Sequence, residues 1–219
     1  MNLNGEMKMA EMTVQRALNE LKIIDERLNK RLQEFTIIGT KKVSETRVVE
    51  TRESVVEFEN RAKGALDSVD GLLKRKNALK HAIMQSNATT MIEVGGKTYS
   101  VMTAIDRKRT IESEKMVVRH MREALGFAEY KVNQDNDKME SYIQRQTNAM
   151  ASGDLSSKKD DYIIAFEKSY REQNSWELVD PLKVRDLIEK REQEISMFEL
   201  EIDTALTVSN AITKIEIED

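Results

Sequence analysis

The sequence predicts a mainly α protein: long antiparallel helices in a coiled-coil-like bundle, with a small β-hairpin or three-stranded sheet. Three observations carry this expectation. Charged residues make up 34% of the 219 positions and aromatics only 5%, and Pro181 is the single proline, so the strongest helix breaker is missing from most of the chain. Apolar residues recur at alternating three- and four-residue spacing over several long stretches, which gathers them on one side of a helix. Finally, a nine-residue pattern occurs twice, as Ser86-Asn87-Ala88-Thr89-Thr90-Met91-Ile92-Glu93-Val94 and as Ser209-Asn210-Ala211-Ile212-Thr213-Lys214-Ile215-Glu216-Ile217. Upstream of it Leu72, Leu79, Ala82 and Ile83 match Ile195, Ile202, Ala205 and Leu206 at the same offset. Ser and Asn end helices by hydrogen-bonding to nearby backbone, and the β-branched run behind them suits an extended strand, so the pattern marks a repeated helix-to-strand unit.

Taken in order, Val14, Ala17, Leu21, Ile24, Leu28, Leu32 and Phe35 form the seam of a first helix. Residues 36–50, with Ile37, Ile38 and Gly39, break the pattern and read as a loop or short hairpin. A second seam of Val55, Phe58, Ala62, Ala65, Val69, Leu72, Leu79 and Ile83 runs into the first Ser-Asn-Ala stop. Gly64 and Gly71 within it each lower helix propensity by ~1 kcal/mol relative to alanine, so packing must hold this helix. Residues 90–101 carry two short β-prone runs around Gly95-Gly96, the signature of a two-residue hairpin. Thr103 is the expected cap of a third helix, supported by Ile105, Ile111, Val117 or Val118, Met121 and Leu125. The polar stretch Asn133 to Asp137 predicts fraying, bending or extension beyond the core before Met139, Tyr142, Ile143 and Met150 resume. Residues 151–161 read as a mobile loop, 162–170 as helix and 176–179 as extended chain. Asp180-Pro181 is the expected start of the last helix, whose buried face carries Leu182, Leu187, Ile195, Phe198, Ile202, Ala205 and Leu206 to the second stop. Because an isolated hairpin is marginal in water, the strands of 90–101 are expected to pair with 213–217 within a single elongated helical domain spanning 1–219. Seams left uncovered in such a chain predict a homo-oligomer.

Composition narrows the function classes. The chain has no cysteine, which removes disulfides, thiolate metal sites and cysteine nucleophiles and fits a reducing, cytoplasmic setting. No apolar run approaches the ~18–20 residues that span a bilayer, and the N-terminus lacks a signal-peptide core, so no membrane association is expected. Net charge is only −4 but is unevenly spread. Between Gly71 and Arg109 eight basic residues stand against Glu93 and Asp106 alone.

At the repeated ends the chain resembles the septicolysin-like family of small helical bacterial proteins. The resemblance lies in the N-terminal amphipathic helix, the helix ending Ser86-Asn87-Ala88-Thr89-Thr90, the Gly95-Gly96-Lys97 turn and Ala104-Ile105-Asp106-Arg107-Lys108. It continues in Val179-Asp180, the long helix after it, and Ile202-Asp203 to Asn210-Ala211-Ile212-Thr213. It covers about residues 5–35, 65–120 and 175–217, while 36–64 and 121–174 are longer than the family pattern. The resemblance implies a helical fold and no defined activity, and no hairpin of the length a pore needs is present.

The basic block supplies the candidate site: Arg75, Lys76, Lys80 and His81 approaching the hairpin, Lys97 and Tyr99 within it, and Arg107, Lys108 and Arg109 leaving it. Several cations at one sheet edge suit an anion, arginine in particular matching phosphate bidentately, and Tyr99 can stack on a base. The competing reading is salt bridging to acidic faces of neighbouring helices. Duplex nucleic acid is not expected of an acidic chain without an extended basic stripe. His81 and His120, with Glu123 one turn from the latter, read as exposed histidines and not as a metal site. Gly95-Gly96-Lys97-Thr98 lacks the upstream glycine of a phosphate-binding loop and reads as a hairpin. The methionines read mostly as core filler, with an adaptable contact surface formed by Met7, Met9 and Met12 as the lesser alternative. Together these features predict a non-catalytic oligomeric binding protein without cofactor or metal. Its best-fitting use is sequestration of a small phosphate-bearing, nucleotide-type signal, as in a phage-encoded inhibitor of host defence. The alternative is a structural or scaffolding coiled-coil protein acting only through protein–protein contacts.

Overall fold

The computed structural model describes residues 9–152 and 159–218. In chain order these form β1 (Met9–Thr13), α1 (Val14–Gln33), α2 (Val55–Thr89), β2 (Met91–Val94), β3 (Lys97–Ser100), α3 (Val101–Ser152), α4 (Lys159–Asn174), α5 (Val184–Ile212) and β4 (Lys214–Glu218). The protein is mainly α, with two small antiparallel two-stranded sheets, β1–β4 and β2–β3. It divides into two compact units, residues 1–109 with 198–219 and residues 110–197, and α3 and α5 contribute to both. No described helix is long and apolar enough to cross a membrane.

In the first unit the seam of α1 packs on that of α2. Val14, Ala17 and Ile24 meet Leu79 and Ile83, and Ile215 and Ile217 of β4 close the cluster. Alternation along β4 turns these two isoleucines inward and leaves Glu216 exposed. The expected three-stranded sheet is corrected here: β4 does not join the hairpin but pairs with β1, Met12 opposite Ile215 and Thr13 opposite Lys214. The five residues Met-Ala-Glu-Met-Thr are too short for their alternation to announce a strand, and they act as one because β4 lies alongside. Met12 is partly buried against the core; Met7 and the side chain of Met9 lie outside the described residues. The hairpin itself forms as predicted, with Gly95 and Gly96 at φ of 59° and 69°, values that favour glycine. Residues 36–50 lie in a stretch without helix or regular strand, which Thr40 and Glu50 tie together: Thr40 donates both its backbone N–H (2.8 Å) and its hydroxyl (2.6 Å) to the Glu50 carboxylate. These bonds hold the Glu50 carboxyl below its ordinary pKa.

In the second unit α5 runs antiparallel to α3, since the ion pairs Arg122–Glu192 and Glu129–Arg185 fall in reversed order along the two helices. Helix α4 also lies antiparallel to α3: Tyr142 stacks on Tyr170 at 4.9 Å, and Arg171 grips both oxygens of Glu140 at 2.8 and 3.0 Å. That guanidinium lowers the Glu140 pKa, and the carboxylate raises that of Arg171. Two boundaries differ from the sequence expectation. The third helix begins at Val101, and Ser100 is the capping residue, its hydroxyl accepting the Thr103 N–H at 3.1 Å. The last helix begins at Val184 and not at Pro181, because Lys183 adopts φ 51° and Asp180 caps the Val184 N–H through both carboxylate oxygens. Helix α3 continues unbroken through Asn133–Asp137, where the Asn136 amide donates to Trp176 O at 2.9 Å and accepts the Trp176 N–H at 2.8 Å. Asn136 is polar at a position that faces backbone instead of side chains. Of the expected loop 151–161, residues 153–158 lie outside the described residues.

The repeated helix ends belong to a larger duplication, of which β1–α1 with α2–β2 is one copy and β3–α3 with α5–β4 the other. The Thr90 N–H donates to Ser86 O at 2.8 Å and the Thr213 N–H to Ser209 O at 2.9 Å. The carbonyls of these same threonines accept the first N–H of a partner helix, Thr90 O from the Val101 N–H and Thr213 O from the Val14 N–H, each at 2.9 Å. Thr13 caps α1 as Ser100 caps α3, and Val14, Ala17 and Ile24 are buried as Val101, Ala104 and Ile111 are. In each copy the closing strand pairs with the opening strand of the other.

Candidate functional site

The nine residues expected to gather at an anion site all fall in the first unit, on α2, β3 and the opening of α3. The seam of α2 that buries Leu79 and Ile83 against α1 also sets two of the cations over that helix. Arg75 donates Nε to Glu20 Oε1 at 2.8 Å, and Lys76 Nζ lies 2.5 Å from Asp25 Oδ1. Lys80, His81 and Lys97 are exposed. On α3, Lys108 pairs with Asp203 of α5, and exposed Arg109 with Asp106 at 3.2 Å. Arg107 is half-buried, donates to the Tyr99 hydroxyl at 2.6 Å and lies 4.4 Å over the Phe198 ring, while Tyr99 meets Phe198 edge-on at 5.7 Å.

The structure therefore brings Tyr99 and Arg107 together and distributes the remaining cations over two helix pairs. Carboxylates take Arg75, Lys76, Lys108 and Arg109, and the Tyr99 ring that would stack on a base meets Phe198 and Arg107 instead. An arriving phosphate would have to displace these acids, each pairing worth little on its own in solvent but cheap to retain. Phe198, Asp203 and Glu201, whose carboxylate accepts the Gly95 N–H at 2.6 Å, are the partners that the sequence did not single out. The duplication contains the missing signal: Glu20 and Arg75 occupy in one copy the places of Arg107 and Phe198 in the other, so the same helix crossing is held by an ion pair once and by a cation on an aromatic ring once.

His120 contacts Glu123 through Nδ1 at 3.0 Å in the open, and no group of three or more His, Asp or Glu able to hold a metal occurs among the described residues. Grooves follow the helix pairs, and two of them occupy equivalent places in the two copies. One, between α1 and α2 in the first unit, has a volume of about 480 Å³; the other, between α3 and α5 in the second unit, about 270 Å³. Outward-facing apolar residues are the other conspicuous feature. On α5, Leu200, Val208 and Ile212 are 80%, 54% and 71% exposed. No family model, curated protein or solved structure matches this chain.

Proposed function

We propose that this chain acts as a scaffolding protein that assembles with further copies of itself through an outer face of α5. One observation carries the reading. Leu200, Thr204, Val208 and Ile212 follow at four-residue spacing along α5, and the three apolar ones are exposed where Phe198, Ile202 and Ser209 of the same helix are buried. At the equivalent places of α2 stand Asn77, His81, Gln85 and Thr89. The duplicated fold thus tolerates polar side chains there, and the apolar ones on α5 are not required by the packing both copies share. Three exposed apolar side chains that the fold does not need and water disfavours suit an interface, and their spacing in multiples of four along one helix suits another helix. The pairing of Arg75, Lys76 and Lys108 with carboxylates further supports contacts between helices over capture of a small anion at the block.

Sedimentation velocity tests it. The protein is expected to sediment as an oligomer, and Leu200→Glu with Val208→Glu is expected to reduce it to monomer while the helical circular dichroism is retained. A monomeric wild-type protein, or an oligomer indifferent to this double substitution, overturns the reading.

A further inference from the structure

We infer that the groove between α1 and α2 is a binding site for a small molecule bearing a diphosphate group. Arg27, Lys30 and Arg31 of α1 line one wall with Glu34, and Ser68 and Leu72 of α2 line the other. All three cations are exposed, and none has an ion pair among the described residues, whereas Arg75 and Lys76 along the same helix pair are each matched by a carboxylate of α1. The last-turn carbonyls of α1 attract Lys30 and Arg31. They do not account for Arg27 one turn earlier, nor for a facing wall whose lining residues are a hydroxyl and an apolar side chain.

The duplication supplies an internal comparison. Arg27, Arg31, Ser68 and Leu72 occupy the places of Glu114, Val118, Arg191 and Ile195, and these four line the groove between α3 and α5. There Lys190 and Arg191 are balanced by Glu114 and Glu194. The same groove is thus charge-neutral in one copy and carries three cations against one acid in the other. Two guanidinium groups and an ammonium about one helical turn apart suit the adjacent phosphoryl groups of a diphosphate, which offer several acceptor oxygens within a few ångströms. The Ser68 hydroxyl can donate from across the groove, and Leu72 offers a partly buried apolar surface to whatever the diphosphate is attached to. This site stands apart from the exposed apolar residues of α5, and neither inference depends on the other.

Isothermal titration of the full chain with inorganic pyrophosphate in low salt, and in parallel with ADP, tests the site. Pyrophosphate is expected to bind, Arg27→Ala with Arg31→Ala to weaken it roughly tenfold or more, and Ser68→Ala several-fold. Lys190→Ala with Arg191→Ala in the equivalent groove is expected to leave binding unchanged. Tighter binding of ADP than of pyrophosphate assigns the Leu72 side to an organic group; equal binding assigns the site to the diphosphate alone. Absence of binding by both ligands, or equal weakening by substitutions in the two grooves, overturns the inference. Circular dichroism of each variant separates loss of the site from loss of the fold.

Discussion

Two glycines show how differently one residue type is used. A methyl group on Gly39 would stand 2.5 Å from Val48 Cγ1 and 3.1 Å from Phe58 Cζ, both buried side chains, so the loop after α1 closes on this position because nothing is there. Gly64, inside α2, would meet no atom within 4 Å. Gly39→Ala is therefore expected to destabilise the protein by about 1–3 kcal/mol through overpacking. Gly64→Ala is expected to stabilise it by up to ~1 kcal/mol through helix propensity. Urea unfolding midpoints that move the same way for both would refute this assignment. The sequence revealed the propensity cost at Gly64, since helix periodicity runs through it. It did not reveal the packing at Gly39, because Val48 and Phe58 are brought there by a turn that no periodic pattern encodes.

At the scale of elements, α3 carries the clearest departure from the sequence reading. Periodicity weakens at Asn133–Asp137, where the loss of apolar anchors predicts fraying, bending or extension beyond the core. Instead, Asn136 holds the backbone of Trp176 from both sides, at the break between α4 and α5 where no helix faces α3. A polar side chain is what a helix needs to satisfy a non-helical neighbour's N–H and C=O groups. Asn136→Ala is expected to cost about 1–2 kcal/mol for the two lost hydrogen bonds. It should also shift Trp176 emission, cleanly read because Trp176 is the only tryptophan, to longer wavelength. Unchanged emission would mean that the connection is held by other contacts. The start of α5 departs from expectation for a different reason. Asp180 is legible as a cap in the sequence, but the left-handed backbone at Lys183 delays the helix past Pro181, and such a φ in a lysine has no sequence signature.

For the molecule as a whole, the duplication makes β1 and β4 the counterpart of the β2–β3 hairpin, without the turn. Joined only by their register, the two strands bring distant parts of the sequence onto one core, with Ile215 and Ile217 under α1 and α2. Ile217 is 2% exposed, and Ile217→Ala is expected to cost about 2–5 kcal/mol. Amide exchange should then accelerate in residues 9–13 as well as in β4, although these segments lie at opposite ends of the sequence. Acceleration confined to β4 would contradict the pairing. The same view places the candidate sites. Positions equivalent by duplication share the packing, and where one copy departs from the other, at Leu200, Val208 and Ile212 or at Arg27 and Arg31, the departure is available for a partner or a ligand.

The sequence by itself determined the helical class, the seams of α1 and α2, the glycine hairpin and the helix-to-strand ends marked by Ser-Asn-Ala, because each is written in local spacing and local backbone preference. Only the tertiary structure decided which strand pairs with which, since β4 has the same inward isoleucine pattern whichever partner it takes and β1 becomes a strand only beside it. It likewise decided which cations are engaged. Arg75, Lys76 and Lys108 meet Glu20, Asp25 and Asp203, carboxylates far away in the chain, while Arg27, Lys30 and Arg31 form no such pair among the described residues. Charge clustering along a sequence measures how many ions lie close in the chain. Whether an acid stands opposite each of them depends on helix packing.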